Sequence, residues 1–429
     1  MKILLANPPG PWLRCRWDIR IENENRYYPY PVRLAYATSV LKKNNYDAYI
    51  IDATTEEIDE EEFISRFEEI NPDVLIWETV ASSFDVDINL MKRLRKINPK
   101  IKIGVSGYHT SAVPGECIDS GYDFVVIGEC EYSILEMVKW LDNKIKKFPE
   151  GIYMKSKKYV PRPLIKNINE LPWPERGSLP IKKYNDPKLK GFNVVLVSSR
   201  GCPRGCSFCT VAVYYGKPSY RFRDSKDVVD EMKFLWDKYK PDELYFDDDN
   251  FALNKKHVID ICNEISNRKL KIKWNCMVDA SLDKGLLKVM KKSGCTGITI
   301  GAESADDEVL KHLGKTITRK IILETVKICK EIGLRSHICW VLGLPHSSKK
   351  SDIETVEFAL NMPSDTLQFS ICTPYLGTKM YKWCEDNGYL RTKEWKNFSG
   401  QNSTPVIDLP GYSYTNSQGQ GGGWCACGQ

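Results

Sequence analysis

The sequence predicts an α/β protein with two parallel sheets. The first is an N-terminal doubly wound domain, and the second is a partial (β/α)6 TIM-type barrel. Three observations carry this. Over residues 1–145, short apolar runs alternate with helix-length amphipathic segments, which is the pattern of βαβ units. A stretch dense in proline and charge, "NELPWPERGSLPIKKYNDPKLKG", then breaks the rhythm. From Asn193 the alternation restarts and delivers six more strand signals.

In the first domain, "KILLANPP" is a strand that runs into prolines, and "VRLAYATSVLKKNN" has helical spacing. "YDAYIIDAT" is the next strand. The helix "EEFISRFEEINP" stops at Pro72 and leads to the strand "DVLIWETV". The helix "DINLMKRLRKINP" stops at Pro99 and leads to "KIKIGVSG". Proline ends both because it lacks the N–H and disfavours helix in the preceding residue. "YDFVVIGE" and the helix "YSILEMVKWL" close the domain. Residues 146–192 read as a linker. Residues 193–385 form the barrel, with strands "NVVLVSS", "DELYFDDD", "KIKWNCMV", "GITIGAES", "RSHICWVLGLP" and "TLQFSICTP". Residues 386–429 are a C-terminal extension whose end, "NSQGQGGGWCACGQ", is low in complexity and expected to be mobile.

Bulk composition excludes several classes. Of the 429 residues, 42% are apolar and 28% charged, enough to bury real cores. The 62 basic and 56 acidic residues are interleaved, so no nucleic-acid partner is implied. The start, "MKILLANPPGPW", has no export signal. No uncharged apolar run approaches transmembrane length, and a cytoplasmic location is expected. The cysteine count, 15, is odd. Without an export signal, a disulfide framework is disfavoured.

Ligands of parallel sheets sit at the carboxyl ends of the strands. In the first domain those ends carry "NPPG" (7–10), "ETVASS" (78–83), "SGYHTS" (106–111) and "GECE" (128–131). Rich in glycine and serine and poor in charge, they suit a large neutral or amphipathic ligand. Neither G-x-x-x-x-G-K-[ST] nor G-x-G-x-x-G occurs, so nucleotide readings are weak.

At the end of the first barrel strand, "SSRGCPRGCSFCT" sets Cys202, Cys206 and Cys209 in a C-x3-C-x2-C run. Disulfides, zinc and an iron–sulfur cluster compete for it. Structural zinc wants four ligands, and no partner C-x2-C or H-x3-H lies at a suitable distance. A cubane held by three thiolates keeps one iron open. Arg200 and Arg204 offset anionic charge in a tight loop punctuated by Gly201 and Gly205. The cluster is the favoured reading.

This run, on the first strand of a partial barrel, resembles the radical S-adenosylmethionine (radical SAM) superfamily. The flavodoxin-like segment upstream resembles its cobalamin-binding subfamily. "YFDDDNFALNKKHV", "GCTGITIGAESADDEVLKHLGK", "GLPHSSKKSDIETVEFA" and "TPYLGTKMYKW" look like the group containing the anaerobic magnesium-protoporphyrin IX monomethyl ester cyclase and B12-dependent radical SAM methyltransferases. The resemblance implies [4Fe–4S] on Cys202, Cys206 and Cys209, with SAM chelating the fourth iron. It places Asp247, Asp248 and Asp249 at the SAM amino group, Glu303 and Ser304 at its ribose and methionine end, and Phe208 beside adenine. A solvated turn is the competing reading for the aspartates, and a helix cap for Ser304. For cobalamin it points to Asn7, Pro8, Ser82, Ser83, Gly107, Tyr108, His109, Thr110, Gly128 and Glu129. The domain lacks D-x-H-x-x-G, so cobalt is expected to have no histidine from the protein. His109 would line the cofactor or serve only the loop. A second departure is Asp279, where the group commonly carries arginine after "W-x-C".

The implied activity is hydrogen abstraction by a 5′-deoxyadenosyl radical and transfer of a methyl group from methylcobalamin to an unactivated carbon. That chemistry lies beyond side-chain acids and bases. The substrate would be a small molecule or peptide, and the reductant an external flavodoxin or ferredoxin. Three alternatives stand: an oxidative cyclase or ring-rearranging enzyme with the same cofactors, a radical SAM enzyme without cobalamin, and a non-catalytic iron–sulfur sensor or electron-transfer protein. His337 and His346 are read as packed or surface residues. The pair Cys425 and Cys427 is read as incidental.

Overall fold

Strand β1 (Lys2–Asn7) is buried at every position after Lys2, as its unbroken "ILLA" demands. Apolar runs without alternation belong to parallel sheets covered on both faces. The computed structural model describes residues 1–14, 19–20, 27–400 and 405–410. The tail, Cys425 and Cys427 included, lies outside the described residues.

Beside β1 run β2 (Asp47–Asp52), β3 (Val74–Glu78), β4 (Lys102–Ser106), β5 (Phe124–Val126) and β6 (Ile152–Tyr153). Their order is β2-β1-β3-β4-β5-β6, parallel except for β6, which pairs antiparallel with β5. This is the doubly wound arrangement, and its winding reverses between β1 and β3. Helices Val32–Lys43, Glu60–Ile70, Phe84–Ile97 and Glu131–Leu141 accompany the sheet. Leu4, Phe63, Phe67, Trp77, Leu94 and Val105 are central to one core. Asp59 caps the second of these helices by accepting from the Glu62 N–H.

The second sheet contains β7 (Asn193–Leu196), β8 (Glu243–Phe246), β9 (Trp274–Val278), β10 (Cys295–Glu303), β11 (Arg335–Leu342) and β12 (Thr366–Ile371). All six are parallel and in strict chain order. Sequential winding is that of a TIM-type barrel, and six strands make a partial one. Registry separates its faces. Leu196, Phe246, Cys276, Ile298 and Ile338 are fully or nearly fully buried on one side. On the other, Glu243 pairs with Arg335 at the amino ends of β8 and β11.

The described residues cluster into two compact units. The first spans Met1–Asp186, so residues 146–186 are packed structure and not a free linker. Tyr184 donates to the buried Asp52 at 3.0 Å, and Tyr30 donates to the Glu175 carbonyl at 2.5 Å. Two distant pieces also belong to the first unit, Thr210–Lys217 and Glu394–Ser399. Among the described residues, the barrel unit comprises Pro187–Cys209 and Pro218–Lys393, with Gly400 and residues 405–410. Among the described residues no helix is long and apolar enough to cross a membrane.

Candidate functional site

The thiol run follows β7 directly. Strand residues Ser199–Arg200 pair antiparallel with Arg221–Phe222. The buried Arg223 donates to the Val197 carbonyl and is paired with Asp227 and Glu231. These contacts fix the point from which the loop leaves. Gly201 (φ +85°) and Gly205 (φ +66°) take left-handed turns that favour glycine. A side chain on Gly201 would come within 2.4 Å of the Ser219 carbonyl oxygen. The Cys209 N–H donates back to the Cys206 carbonyl at 3.1 Å.

Every described cysteine is a free thiol. Cys202, Cys206 and Cys209 are partly exposed, whereas all the others except Cys339 are buried. Burial pushes the Cys202 thiol up to about 11 and raises Cys206 as well, so iron would have to displace protons on binding. No three His, Cys, Asp or Glu side chains among the described residues converge on a single ion. A cubane makes no such demand, because each thiolate takes a different iron. The donor set and the accessible three-thiol loop fit the cluster.

The acids after β8 divide. Asp248 is fully buried and accepts from the Ser198 N–H (2.7 Å), the Ser198 hydroxyl (2.6 Å) and the Ser199 hydroxyl (2.5 Å). Burial raises its carboxyl to about 6 against these bonds. Asp248 thus anchors the strand that leads to the thiols. Asp249 accepts from the Gly201 N–H at 2.7 Å and shapes the loop itself. Asp247, like Asp249, is half-buried. Phe208 is half-buried between its two cysteines.

At the end of β10, Glu303 has φ +66°, which a side chain rarely adopts, next to a register shift against β11. Lys315 holds its carboxylate at 3.0 Å. Ser304 is buried and accepts from the Asp306 N–H at 3.1 Å, just ahead of a helix that Asp306 itself caps. Its hydroxyl therefore has a local structural partner.

Asp279 is explained by a partner 75 residues away. Arg204, between the first two cysteines, donates to Asp279 at 3.0 Å, to Ser281 at 3.2 Å and to Thr316 at 2.8 Å. Burial would raise the Asp279 carboxyl, but Ser281 and Arg204 outweigh it and hold it low. The arginine is on the thiol loop and the acid on the third strand's exit.

In the first unit, the predicted cobalamin residues lie after β1, β3, β4 and β5. Asn7 donates to Asp52 at 3.3 Å, while its buried Oδ1 has no partner. Pro8 lends its carbonyl to Arg14 and Thr54. Ser82 is buried; the Ser83 hydroxyl bonds Asp87 at 2.7 Å. Gly107 (φ +131°) would bring a side chain to 2.7 Å from the Thr79 carbonyl oxygen. Thr110 bonds the Gly107 carbonyl, and Tyr108 meets Tyr214 in a tilted ring contact at 4.7 Å under Arg33. Gly128 (φ +72°) would bring a side chain to 2.9 Å from the Tyr214 carbonyl oxygen. Glu129 accepts from the Ile165 N–H. His109 lies edge-on to Phe84 and Trp395, and its buried Nε2 has no partner. Desolvation lowers it to about 4, so it is neutral. Glycine approaches and two orphaned polar atoms fit a large, uncharged ligand.

The Radical SAM superfamily model matches residues 196–359, and the B12 binding domain model matches residues 23–138. An uncharacterized methyltransferase of Pyrococcus horikoshii is 31% identical over 95% of this chain and 88% of its own. The chain belongs to the B12-binding radical SAM family. The anaerobic magnesium-protoporphyrin IX monomethyl ester cyclase of Cereibacter sphaeroides is 27% identical over 83% of this chain, which spans 60% of that protein. The fold matches that of the radical SAM methyltransferase TsrM from Kitasatospora setae, solved with cobalamin and a [4Fe-4S] cluster. The TM-score is 0.74 at 17% identity, over 91% of this chain and 79% of that one.

As a radical SAM enzyme, the protein shows three features that its sequence did not single out. Lys315 was visible only as the end of "HLGK". Tyr214 and Trp395 were read with the barrel and the C-terminal extension, yet they pack in the B12-binding unit. Trp395 also donates to Glu116 at 2.8 Å. His346 stacks on His312 at 4.0 Å, and His337 bonds Thr366 at 2.9 Å.

Proposed function

We propose that this radical SAM enzyme methylates an unactivated carbon of a small-molecule or peptide substrate. The observation that carries methylation over cyclisation is the relative named a methyltransferase. It is 31% identical and matched over 88% of its length, whereas the cyclase is matched over 60%. When bound, the cluster with SAM supplies a 5′-deoxyadenosyl radical, and cobalamin supplies the methyl group.

The chain's own residues bind and orient. Cys202, Cys206 and Cys209 would hold the cluster. Arg204 offsets thiolate charge and ties the loop to Asp279. Asp247 and Asp249, after β8, offer carboxylates to an ammonium group, and Glu303 offers another at the end of β10. Phe208 would cover a planar base. In the B12-binding unit, Asn7 and His109 offer orphaned polar atoms to amide side chains of a corrin, and Gly107 and Gly128 allow close approach. Ser82, Ser83, Thr110 and Glu129 support those loops. Neutral His109 adds no charge between Phe84 and Trp395. The electron would come from a reduced flavodoxin or ferredoxin in the cytoplasm.

The test is anaerobic reconstitution with iron, sulfide and cobalamin, followed by analysis of SAM products under a reductant. S-adenosylhomocysteine together with 5′-deoxyadenosine is expected. Deoxyadenosine alone would replace methylation with cyclisation or a cobalamin-free reaction. Neither product would make the protein a sensor or carrier.

A further inference from the structure

The segment Leu313–Thr316 lies against the thiol loop through three of its four residues. The Leu313 carbonyl accepts from the Ser207 N–H at 2.9 Å. Gly314 (φ +78°) backs onto Cys206, where an added side chain would stand 3.9 Å from the Cys206 Cα. Thr316 accepts from Arg204 at 2.8 Å. Between them, the Lys315 ammonium turns to β10, donating to Glu303 at 3.0 Å and to the Gly301 carbonyl at 2.9 Å. Those two bonds straddle the register shift and the left-handed Glu303. Gly301 leaves the room: a side chain there would come within 2.9 Å of the Glu303 carboxylate and 3.6 Å of the Lys315 Nζ.

We propose that Lys315 is a positioning residue for both ligands of the barrel, fixing Glu303 for SAM while holding a positive charge on the segment that backs the thiol loop. The inference rests on the cluster reading above. The pair is only 11% and 13% exposed, so solvent and salt screen it weakly. Burial alone would lower the Lys315 ammonium. The Glu303 carboxylate at 3.0 Å reverses that and keeps it charged. A fixed cation near the cluster favours the reduced state, which carries one more negative charge. Removing it also leaves the largely buried Glu303 carboxylate without this partner in its left-handed conformation.

The full chain, reconstituted anaerobically, is titrated by electron paramagnetic resonance for the cluster's midpoint potential. SAM affinity is read from the change SAM makes in the reduced spectrum. Lys315→Met is expected to move the midpoint negative and to weaken SAM by about tenfold. Lys315→Arg, which keeps the charge, is expected to follow wild type. Wild-type potential and affinity in Lys315→Met, or an arginine variant as impaired as methionine, would overturn the inference. If Lys315→Met fails to hold iron, Glu303→Gln decides. It frees the same charge and is expected to move the midpoint positive; an unchanged potential would overturn the inference. Iron and sulfide content are measured first. Wild type without a cluster would refute the cluster reading itself, whereas a normal cluster indifferent to residue 315 would refute only this proposal.

Discussion

The two sets of strand-end loops solve opposite problems. Around the thiols, charge is dense and paired: Arg204 with Asp279, Lys315 with Glu303, and Asp248 against two serines. At the carboxyl ends of β1 and β4 in the B12-binding unit, the chain instead offers neutral groups, Asn7 and a neutral His109, each with an orphaned buried atom, His109 edge-on to two aromatic rings. An anionic cluster and a zwitterionic nucleoside need compensating charges in fixed places. A corrin, broad and rimmed with amides, needs room and unspent hydrogen-bonding capacity. The contrast lies in what is left for a ligand: the B12-binding loops also pair charges, Arg14 with Asp87 and Arg33 with Glu78, but the atoms they leave unpartnered at Asn7 and His109 are neutral.

Breaking the charged side at its centre gives the largest effect. Cys206→Ala is expected to cut bound iron and deoxyadenosine formation by more than about 100-fold, as measured by iron assay and nucleoside chromatography. It should leave cobalamin content unchanged, which tests whether the two loop sets are independent. The next change removes only the anchor that holds Arg204 in place. Asp279→Asn is expected to lower cluster retention by about tenfold, followed as loss of charge-transfer absorbance against a chelator.

On the B12-binding side, Gly107→Ala puts a Cβ near 2.7 Å from the Thr79 carbonyl oxygen in a left-handed backbone. It is expected to cost about 2 kcal/mol of stability, read by denaturant unfolding, and to reduce cobalamin content.

A smaller test sharpens the comparison through pH. His109 is held near 4 from an ordinary 6.5. Between these values the unfolded chain binds a proton that the folded one refuses. Stability is therefore lost as pH falls through that window, by at most about 3 kcal/mol. Asp248 is raised from 3.8 to about 6. Here the folded chain binds the extra proton, so stability is lost as pH rises from about 4 to 6, again by at most about 3 kcal/mol. Relative to wild type, His109→Gln should gain as pH falls from 7 to 4, and Asp248→Asn should gain as pH rises from 4 to 7. Denaturant unfolding across pH reads both, and equal slopes for the two variants would contradict the assignment.

What was legible in the sequence follows from how local each signal is. The thiol loop lies within eight residues and carries its own turn-forming glycines, so spacing and chemistry could be read together. Both sheets were legible because parallel strands are continuous apolar runs between amphipathic helices. Strand β6 was not, since two residues carry no period. Asp279 looked like a bare departure because its partner Arg204 is distant in sequence. Asp248 looked equivalent to its two neighbours until alternation along the strand exit turned it toward Ser198 and Ser199. Tyr214 and Trp395 belong to the first unit through ring contacts that no linear pattern announces.

The most direct measurement of the central claim is the electron paramagnetic resonance spectrum of the anaerobically purified, reduced protein before and after SAM. The account predicts a [4Fe–4S]⁺ signal that changes when SAM ligates the open iron. A protein carrying zinc in its place, or a cluster signal untouched by saturating SAM, would contradict it.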